Sequence, residues 1–175
     1  MRRVTEYILI FVAAVLLQVF LFDNLNISPY LYPLFYVIAI LLMPVDMKHA
    51  RLILAGFVLG VAVDLLSGGA GLNTIAATAT AFVRPAVLDV LVGKEALHEV
   101  GMPLPVGVGR GRWLRYTAVL VLVHCTIYFF FEAASFRYVW YTLLRILGSA
   151  VSTILLIFFT ASFLPAGKTD GMSVR

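Results

Sequence analysis

Four ionisable side chains lie within long apolar stretches of the sequence: Asp64, Arg84, His124 and Arg145. An ionisable group in apolar surroundings is costly, so it usually faces other protein groups and finds a partner there. Such groups can relay protons, bind a ligand, or hold neighbouring helices together through hydrogen bonds. For Asp64 and His124 the structural role is the favoured interpretation, and a ligand or proton site is the alternative.

Asp64 closes a ladder of small residues in which Gly56, Gly60 and Asp64 follow one another at steps of four. That spacing keeps the three positions on nearly one face of a helix, and glycines allow a second helix to approach closely. A glycine-rich break that includes Gly71 follows at once. The pattern predicts a tight helix hairpin, in which Asp64 either caps the next helix or pairs with a cation.

Arg84 ends a stripe of polar or small residues that also contains Asn73, Ala77 and Thr80. The steps of 4, 3 and 4 place these positions on one side of a helix. Pro85 follows directly, lacks a backbone N–H, and is expected to bend or end the helix there. The sequence leaves two possibilities for Arg84, since its side chain could extend toward the helix end or join a buried network.

Arg145 is expected to be neutralised by acidic side chains. Counted from the short connection at 133–138, Glu132, Arg145 and Asp64 lie at a similar depth, which predicts an acid–arginine–acid cluster. On the same two helices, His124 stands two steps of four before Glu132, and Ser149 lies one step of four beyond Arg145. We predict that His124 is a hydrogen-bonded histidine of a helix bundle.

No set of residues predicts catalysis, a cofactor or a metal. Intramembrane hydrolysis needs paired catalytic groups, and the sequence offers no Ser–His or double-carboxylate pair at a suitable spacing. His124 and Glu132 resemble part of a metal site, but no second ligand pair completes it. The stretch 107–111 is rich in glycine and lacks the Lys-Ser/Thr ending of a phosphate-binding loop. We therefore expect a non-enzymatic protein without cofactor or metal.

The elements that position these residues are membrane spans. The 175 residues are 62% hydrophobic and 13% charged, with a mean hydropathy of +1.02, whereas a soluble domain has about 25% charged residues. This composition excludes an ordinary soluble enzyme, a disordered chain and a disulfide scaffold, and Cys125 has no partner. The fold class predicted is an all-α polytopic membrane protein with about six helices. The predicted spans are 7–22, 30–44, 52–66, 72–91, 116–131 and 139–164.

Two of these segments, 30–44 and 52–66, are short, so five spans, or four with a re-entrant hairpin, are the alternatives. The first segment ends in bulky residues, which favours an uncleaved anchor over a signal peptide. Lys and Arg in the loops are distributed ten to one between the two sides, and the remaining two of the 13 lie in spans. This distribution predicts that both termini and the loop at 92–115 are cytoplasmic. The net charge of +4 thus reflects orientation, and nucleic acid is not an expected partner.

The ordered motifs resemble the rod-shape-determining protein MreD family along essentially the whole chain. The residues that carry the resemblance are Gly56, Gly60, Asp64, Ser67, Gly68, Gly71, Leu72, Phe82, Arg84 and Pro85. The later stretches 129–136 and 142–146 are similar to family members from the Bacteroidetes-like branch. The resemblance implies a fold similar to the substrate-binding subunits of energy-coupling-factor vitamin transporters. It also implies a place in the bacterial cytoplasmic membrane.

The implied function is a scaffold of the elongasome, the complex that directs lateral peptidoglycan synthesis and cell shape. Its implied partners are MreC and, directly or through MreC, MreB, RodA and a class B penicillin-binding transpeptidase. Membrane lipids, or a cytoplasmic partner, are expected instead from the interfacial residues before the fifth span, which are Arg110, Arg112, Trp113, Arg115 and Tyr116. We expect the transmembrane helix of MreC on a small-residue face, either Gly56/Gly60 or Gly148/Ser149/Ser152. The alternative function is the substrate-binding subunit of an energy-coupling-factor vitamin transporter. The candidate structural and partner-binding residues are Gly56, Gly60, Asp64, Gly71, Arg84, Pro85, His124, Glu132, Arg145 and Ser149.

Overall fold

The computed structural model describes residues 2–25, 28–93, 97, 102–134 and 139–163. In these residues the chain forms helices and no strand; an isolated bridge joins Ser28 and Leu31. A 3-10 turn covers Phe22–Asn24. The helices are α1 (Arg2–Phe20), α2 (Val37–Leu41), α3 (His49–Ser67), α4 (Leu72–Leu91), α5 (Pro105–Val108), α6 (Arg110–Ala133) and α7 (Val139–Phe163).

Within the described residues, α1, α3, α4, α6 and α7 are long and apolar enough to cross a membrane. The prediction of an all-helical, multi-pass membrane protein is confirmed at this level. These five helices correspond to five of the six predicted spans. Parts of the predicted loop at 92–115, Arg137 and the chain from residue 164 onward lie outside the described residues.

The predicted helical span at 30–44 is wrong. Only the five residues of α2 are α-helical there, yet all residues from 33 to 43 are buried. Pro33 and Pro44 flank α2, and each lacks the amide that a helix interior needs. The backbone finds other partners instead, since the amide of Leu34 donates to Thr153 Oγ1 at 3.0 Å and that of Tyr36 donates to Gln18 Oε1 at 3.3 Å. Non-helical backbone is tolerated at membrane depth where protein groups satisfy it in this way.

The segment around α2 follows α4 through the centre of the bundle. Tyr36 bonds to Asn73 near the start of α4, whereas the carbonyls of Leu41 and Met43 accept from Arg84. Residues 73 to 84 of a helix span about 16 Å, at 1.5 Å per residue. The bundle therefore consists of five long helices around one short, mostly non-helical segment, which forms the centre of the core.

The predicted α3–α4 hairpin is confirmed, and glycines permit its close packing. A Cβ at Gly56 would lie 2.6 Å from Ala81 Cβ, and one at Gly60 would lie 2.7 Å from the Asn73 carbonyl oxygen. The turn uses Gly68 and Gly71 in left-handed conformations, with φ of 71° and 86°. Although Pro85 removes one backbone donor, α4 continues to Leu91, packed between α3 and α6. Of the two outcomes expected at Pro85, the helix does not end there, and α4 matches the predicted span 72–91.

Candidate functional site

The interior of the bundle contains an unusual number of buried polar side chains. Each of the five long helices contributes at least one. We use the name central network for eight interior residues that form two hydrogen-bonded sets along the segment around α2. One set contains Gln18, Tyr36, Asp64, Asn73, Thr80 and His124, and the other contains Arg84 and Tyr116.

Asp64 caps the start of α4. Its Oδ1 accepts from the Asn73 amide at 3.2 Å and from Asn73 Nδ2 at 2.9 Å. Its Oδ2 accepts from the Thr74 amide at 2.8 Å and from Thr74 Oγ1 at 2.5 Å. These amides are among the donors that a helix leaves free in its first turn, and the negative charge suits the helix dipole. Of the two roles predicted for Asp64, capping is confirmed.

His124 lies between two hydroxyl groups in the interior of the bundle. The Tyr36 hydroxyl donates to Asn73 Oδ1 at 2.9 Å, and it also lies 2.9 Å from His124 Nε2. Thr80 Oγ1 lies 3.0 Å from His124 Nδ1. Thr80 Oγ1 also donates to the Ala76 carbonyl at 2.7 Å, so each ring nitrogen of His124 lies beside a hydroxyl that has a further partner. The prediction of a hydrogen-bonded bundle histidine is confirmed.

Arg84 belongs to the same interior and is only 2% exposed. Its Nε donates to the Tyr116 hydroxyl at 2.9 Å, and its Nη2 donates to the carbonyls of Met43 and, at 3.3 Å, of Leu41. Tyr116 itself donates to the Leu41 carbonyl at 3.0 Å. These carbonyls lie at the C-terminal end of α2 and just beyond it, where the helix dipole is negative and favours a cation. Of the two possibilities for Arg84, the structure has the buried network.

Sequence reasoning missed Gln18 and Tyr36, although both join the central network to its surroundings. Gln18 is fully buried; its Nε2 donates to the Pro33 carbonyl at 3.1 Å and to Asp23 Oδ1 at 2.7 Å. One signal was present, because Gln18 is the only polar residue between Ile8 and Phe22. Tyr36 gave no such signal, since a tyrosine beside predicted span ends is also typical of a membrane interface.

Glu132 and Arg145 form a two-pronged ion pair at the end of the bundle that holds the α3–α4 turn, here called the turn end. Arg145 Nη1 lies 2.6 Å from Glu132 Oε2, and Nη2 lies 3.2 Å from Oε1. The guanidinium also lies over the ring of Phe129, 4.7 Å from its centroid. The predicted pair is confirmed, but the predicted third member is wrong, because the carboxylate of Asp64 is occupied by Asn73 and Thr74.

Both small-residue faces that were expected to receive a partner helix are covered by this chain. Gly56 and Gly60 contact α4, as described above. A Cβ at Gly148 would lie 2.7 Å from the carbonyl oxygen of Tyr30. Ser149 Oγ accepts from the Tyr32 amide at 3.0 Å, so it anchors the segment before α2. The expectation that a partner helix docks on either face is therefore not met.

The arrangement of these groups serves to position backbone. Asp64 fixes the hairpin, Arg84 fixes the end of α2, and Gln18 and Ser149 fix the chain leading into it. Among the described residues, no group of three or more His, Cys, Asp or Glu side chains is placed to hold a metal ion. In comparisons with known protein families, with curated proteins and with solved structures, nothing matches this chain.

Proposed function

We propose that the chain is a non-enzymatic membrane scaffold of the MreD type, which binds MreC within the rod-shape complex. One observation carries the proposal: the residues on which the resemblance rests are used to set the shape of the bundle. Gly56 and Gly60 bring α3 against α4, and Asp64 caps α4. Arg84 ties that hairpin to the central segment. Residues that determine shape are what a protein acting through surface complementarity requires.

The proposed location is the bacterial cytoplasmic membrane, with both termini in the cytoplasm. Exposed cations at the starts of α3 and α6 support this orientation, in line with the positive-inside rule. They are Lys48, Arg51, Arg110, Arg112 and Arg115. In this role the chain would link the MreB cytoskeleton, through MreC, to RodA and a class B penicillin-binding transpeptidase.

Because the glycine faces are covered, the proposed partner helix must use an apolar face that points away from the bundle. Exposed faces of this kind exist on α1, which includes Val12, and on α7, which includes Leu147 and Val151. A transmembrane partner would gain close van der Waals packing there in exchange for lipid contacts.

Photo-crosslinking in cells that contain MreC tests both the partner and the face. A photoreactive residue at Val12 or at Leu147 should capture MreC, and the same probe at Leu59, which is fully buried in α3, should capture nothing. Purification through a C-terminal tag should recover MreC together with cell-wall synthases. Absence of MreC from both experiments would contradict the proposal.

The alternative, a substrate-binding subunit of an energy-coupling-factor transporter, predicts different companions. One observation favours it, namely a cleft of about 360 Å³ at the turn end, which is within the usual size range of small-molecule sites. Recovery of a pair of ATPase subunits together with a bound vitamin would establish this alternative and exclude the scaffold. The same tagged purification therefore separates the two functions.

A further inference from the structure

Three exposed arginines lie in the first two turns of α6, at the end of the bundle opposite the turn end. They are Arg110, Arg112 and Arg115. Within the part of the chain that the structure describes, the only ion pair joins Arg145 and Glu132, so no carboxylate there neutralises any of the three. The helix dipole also disfavours cations at the start of a helix, and the first turn of α6 contains no acidic residue. An anion from outside the chain would relieve this electrostatic cost.

Two of these arginines face the same direction. Arg112 and Arg115 are three residues apart, so they are neighbours on one helix face, with about 5–6 Å between their Cβ atoms. Arg110 lies on another side of α6, roughly 140° or more around the helix axis from both. Arg112 Nη1 lies 3.5 Å from the carbonyl oxygen of Val92, which holds this guanidinium at the start of the helix. A Cβ at Gly111 would meet no atom within 4 Å, so the surface beside the pair is open.

Buried side chains fix the inner side of the same helix turns. Trp113 and Tyr116, which were also expected at the interface, are both fully buried. The Trp113 indole Nε1 donates to the Pro103 carbonyl at 2.7 Å, so the chain before α6 is bonded to the helix. Because these aromatic side chains occupy the inner side, Arg112 and Arg115 are left on the outward face.

The face of the arginine pair continues along α6 as an exposed apolar surface. Val119 follows Arg115 by four residues and Leu122 follows Val119 by three, and they are 37% and 38% exposed. The 24 residues of α6 span about 36 Å, whereas the hydrocarbon core of a membrane is about 30 Å thick. The first turn of α6 therefore reaches the headgroup layer, and the long side chain of Arg115 can extend to it. Val119 and Leu122 lie at the depth of the acyl chains, which a soluble anion or a cytoplasmic protein does not reach.

We propose that Arg112 and Arg115 form a binding site for an anionic phospholipid. The two guanidinium groups donate to the phosphate, and Val119 and Leu122 contact an acyl chain. Guanidinium groups suit this role because their N–H donors match the geometry of phosphate oxygens. A zwitterionic lipid carries its own cation beside the phosphate, so it compensates the two arginines less. The inference requires that α6 lies in a membrane, and it does not depend on the proposed scaffold function.

Native mass spectrometry of the full chain, with defined lipids added, measures the binding. Anionic phosphatidylglycerol should bind more tightly than zwitterionic phosphatidylcholine, by about tenfold or more, since two arginines contribute. An excess of inorganic phosphate should not displace the lipid, because free phosphate has no acyl chain for Val119 and Leu122. Equal binding of the two lipids would overturn the proposal. Displacement of phosphatidylglycerol by inorganic phosphate would equally overturn the assignment to a lipid.

Two double variants that remove the same charge locate the site. Arg112→Gln/Arg115→Gln should reduce the affinity for phosphatidylglycerol about tenfold or more, because both phosphate contacts are lost. Lys48→Gln/Arg110→Gln removes two charges from exposed positions outside this face, and it should reduce the affinity less than about threefold. All four side chains are exposed, so both proteins should remain folded, which a denaturant titration checks. If the two double variants lose affinity equally, the attraction is a general effect of net charge and the site is wrongly assigned.

Discussion

Arg84 and Arg145 both lie away from the charged ends of the long helices, and their surroundings differ in kind. Arg84 is 2% exposed and bonds to a tyrosine and two backbone carbonyls, with no carboxylate of the described residues within ion-pair distance. Arg145 has a side chain that is 23% exposed, and it pairs with Glu132. The charge of Arg84 is thus compensated by backbone carbonyls at the end of α2, whereas the charge of Arg145 is compensated by the carboxylate of Glu132.

This difference indicates which substitutions should destabilise the fold most. Groups whose bonds go to backbone in the middle of the bundle hold the fold, since removal leaves buried carbonyls or amides without partners. Groups at the turn end are partly exposed, and water can compensate for part of what a substitution removes. Substitutions in the central network should therefore reduce the free energy of unfolding more than substitutions at the turn end.

Arg84→Gln should have the largest effect. It removes the donor to the Met43 carbonyl, one of the two donors to the Leu41 carbonyl, and the group that donates to the Tyr116 hydroxyl. This loss should cost about 3 kcal/mol of unfolding free energy. Denaturant titration in mixed micelles measures this quantity. Arg84→Lys is the matched control; it keeps the charge, can reach one of the carbonyls, and should lose less. An Arg84→Gln protein as stable as the wild type would refute the structural role.

Asp64→Ala should have the next largest effect. It removes the cap of α4 and the partners of two amides, which should cost about 2 kcal/mol of unfolding free energy. Asp64→Asn retains an oxygen acceptor for one side of the cap, so it should lose roughly half as much. The same micelle titration compares the two. Equal losses would mean that charge, and not capping, is what Asp64 provides.

Tyr36→Phe tests the hydrogen bond between Tyr36 and His124. The hydroxyl bonds to both Asn73 and His124, and its removal should cost about 1 kcal/mol of unfolding free energy. His124→Leu removes the histidine end of the same bond. Because the two residues are bonded to each other, their effects on the unfolding free energy should be less than additive in the double variant, and a double-mutant cycle measures the coupling. Strict additivity would show that the Tyr36–His124 bond contributes nothing.

Much of this fold follows from sequence patterns that depend on local geometry. Steps of four residues identified Gly56, Gly60 and Asp64 as one face, and a tight hairpin followed from them. The pairing of Glu132 with Arg145 could also be predicted, because the short connection between α6 and α7 places their helices side by side. The predicted contact of Asp64 with Arg145 was the exception. All four donors to the Asp64 carboxylate belong to the first turn of α4, and the sequence alone did not decide between this cap and an ion pair.

The central segment could not be predicted, because apolar composition alone does not distinguish a spanning helix from a buried segment with one short helix. Residues 33–43 are apolar enough for a spanning helix, but the groups that bond to the backbone before α2 are distant in sequence. Thr153 on α7 and Gln18 on α1 accept from the amides of Leu34 and Tyr36, and Ser149 on α7 accepts from the amide of Tyr32. Those contacts require the bundle to exist first, so no window of sequence contains them. The roles of Gln18 and Tyr36 were missed for the same reason.

Arg145→Gln should have the smallest effect on stability, and it completes the comparison with Arg84. The ion pair is partly exposed, so its loss should cost about 1 kcal/mol of unfolding free energy or less. In Arg145→Gln the neutral glutamine can still donate to Glu132. The double variant Glu132→Gln/Arg145→Gln removes both charges, so it should recover the unfolding free energy that the unpaired Glu132 carboxylate costs. Micelle titration at low and high salt measures the electrostatic part, because screening weakens an exposed pair more than a buried one. A loss for Arg145→Gln as large as that for Arg84→Gln would show that the turn end also holds the fold, and the proposed difference in stability between the central network and the turn end would then fail.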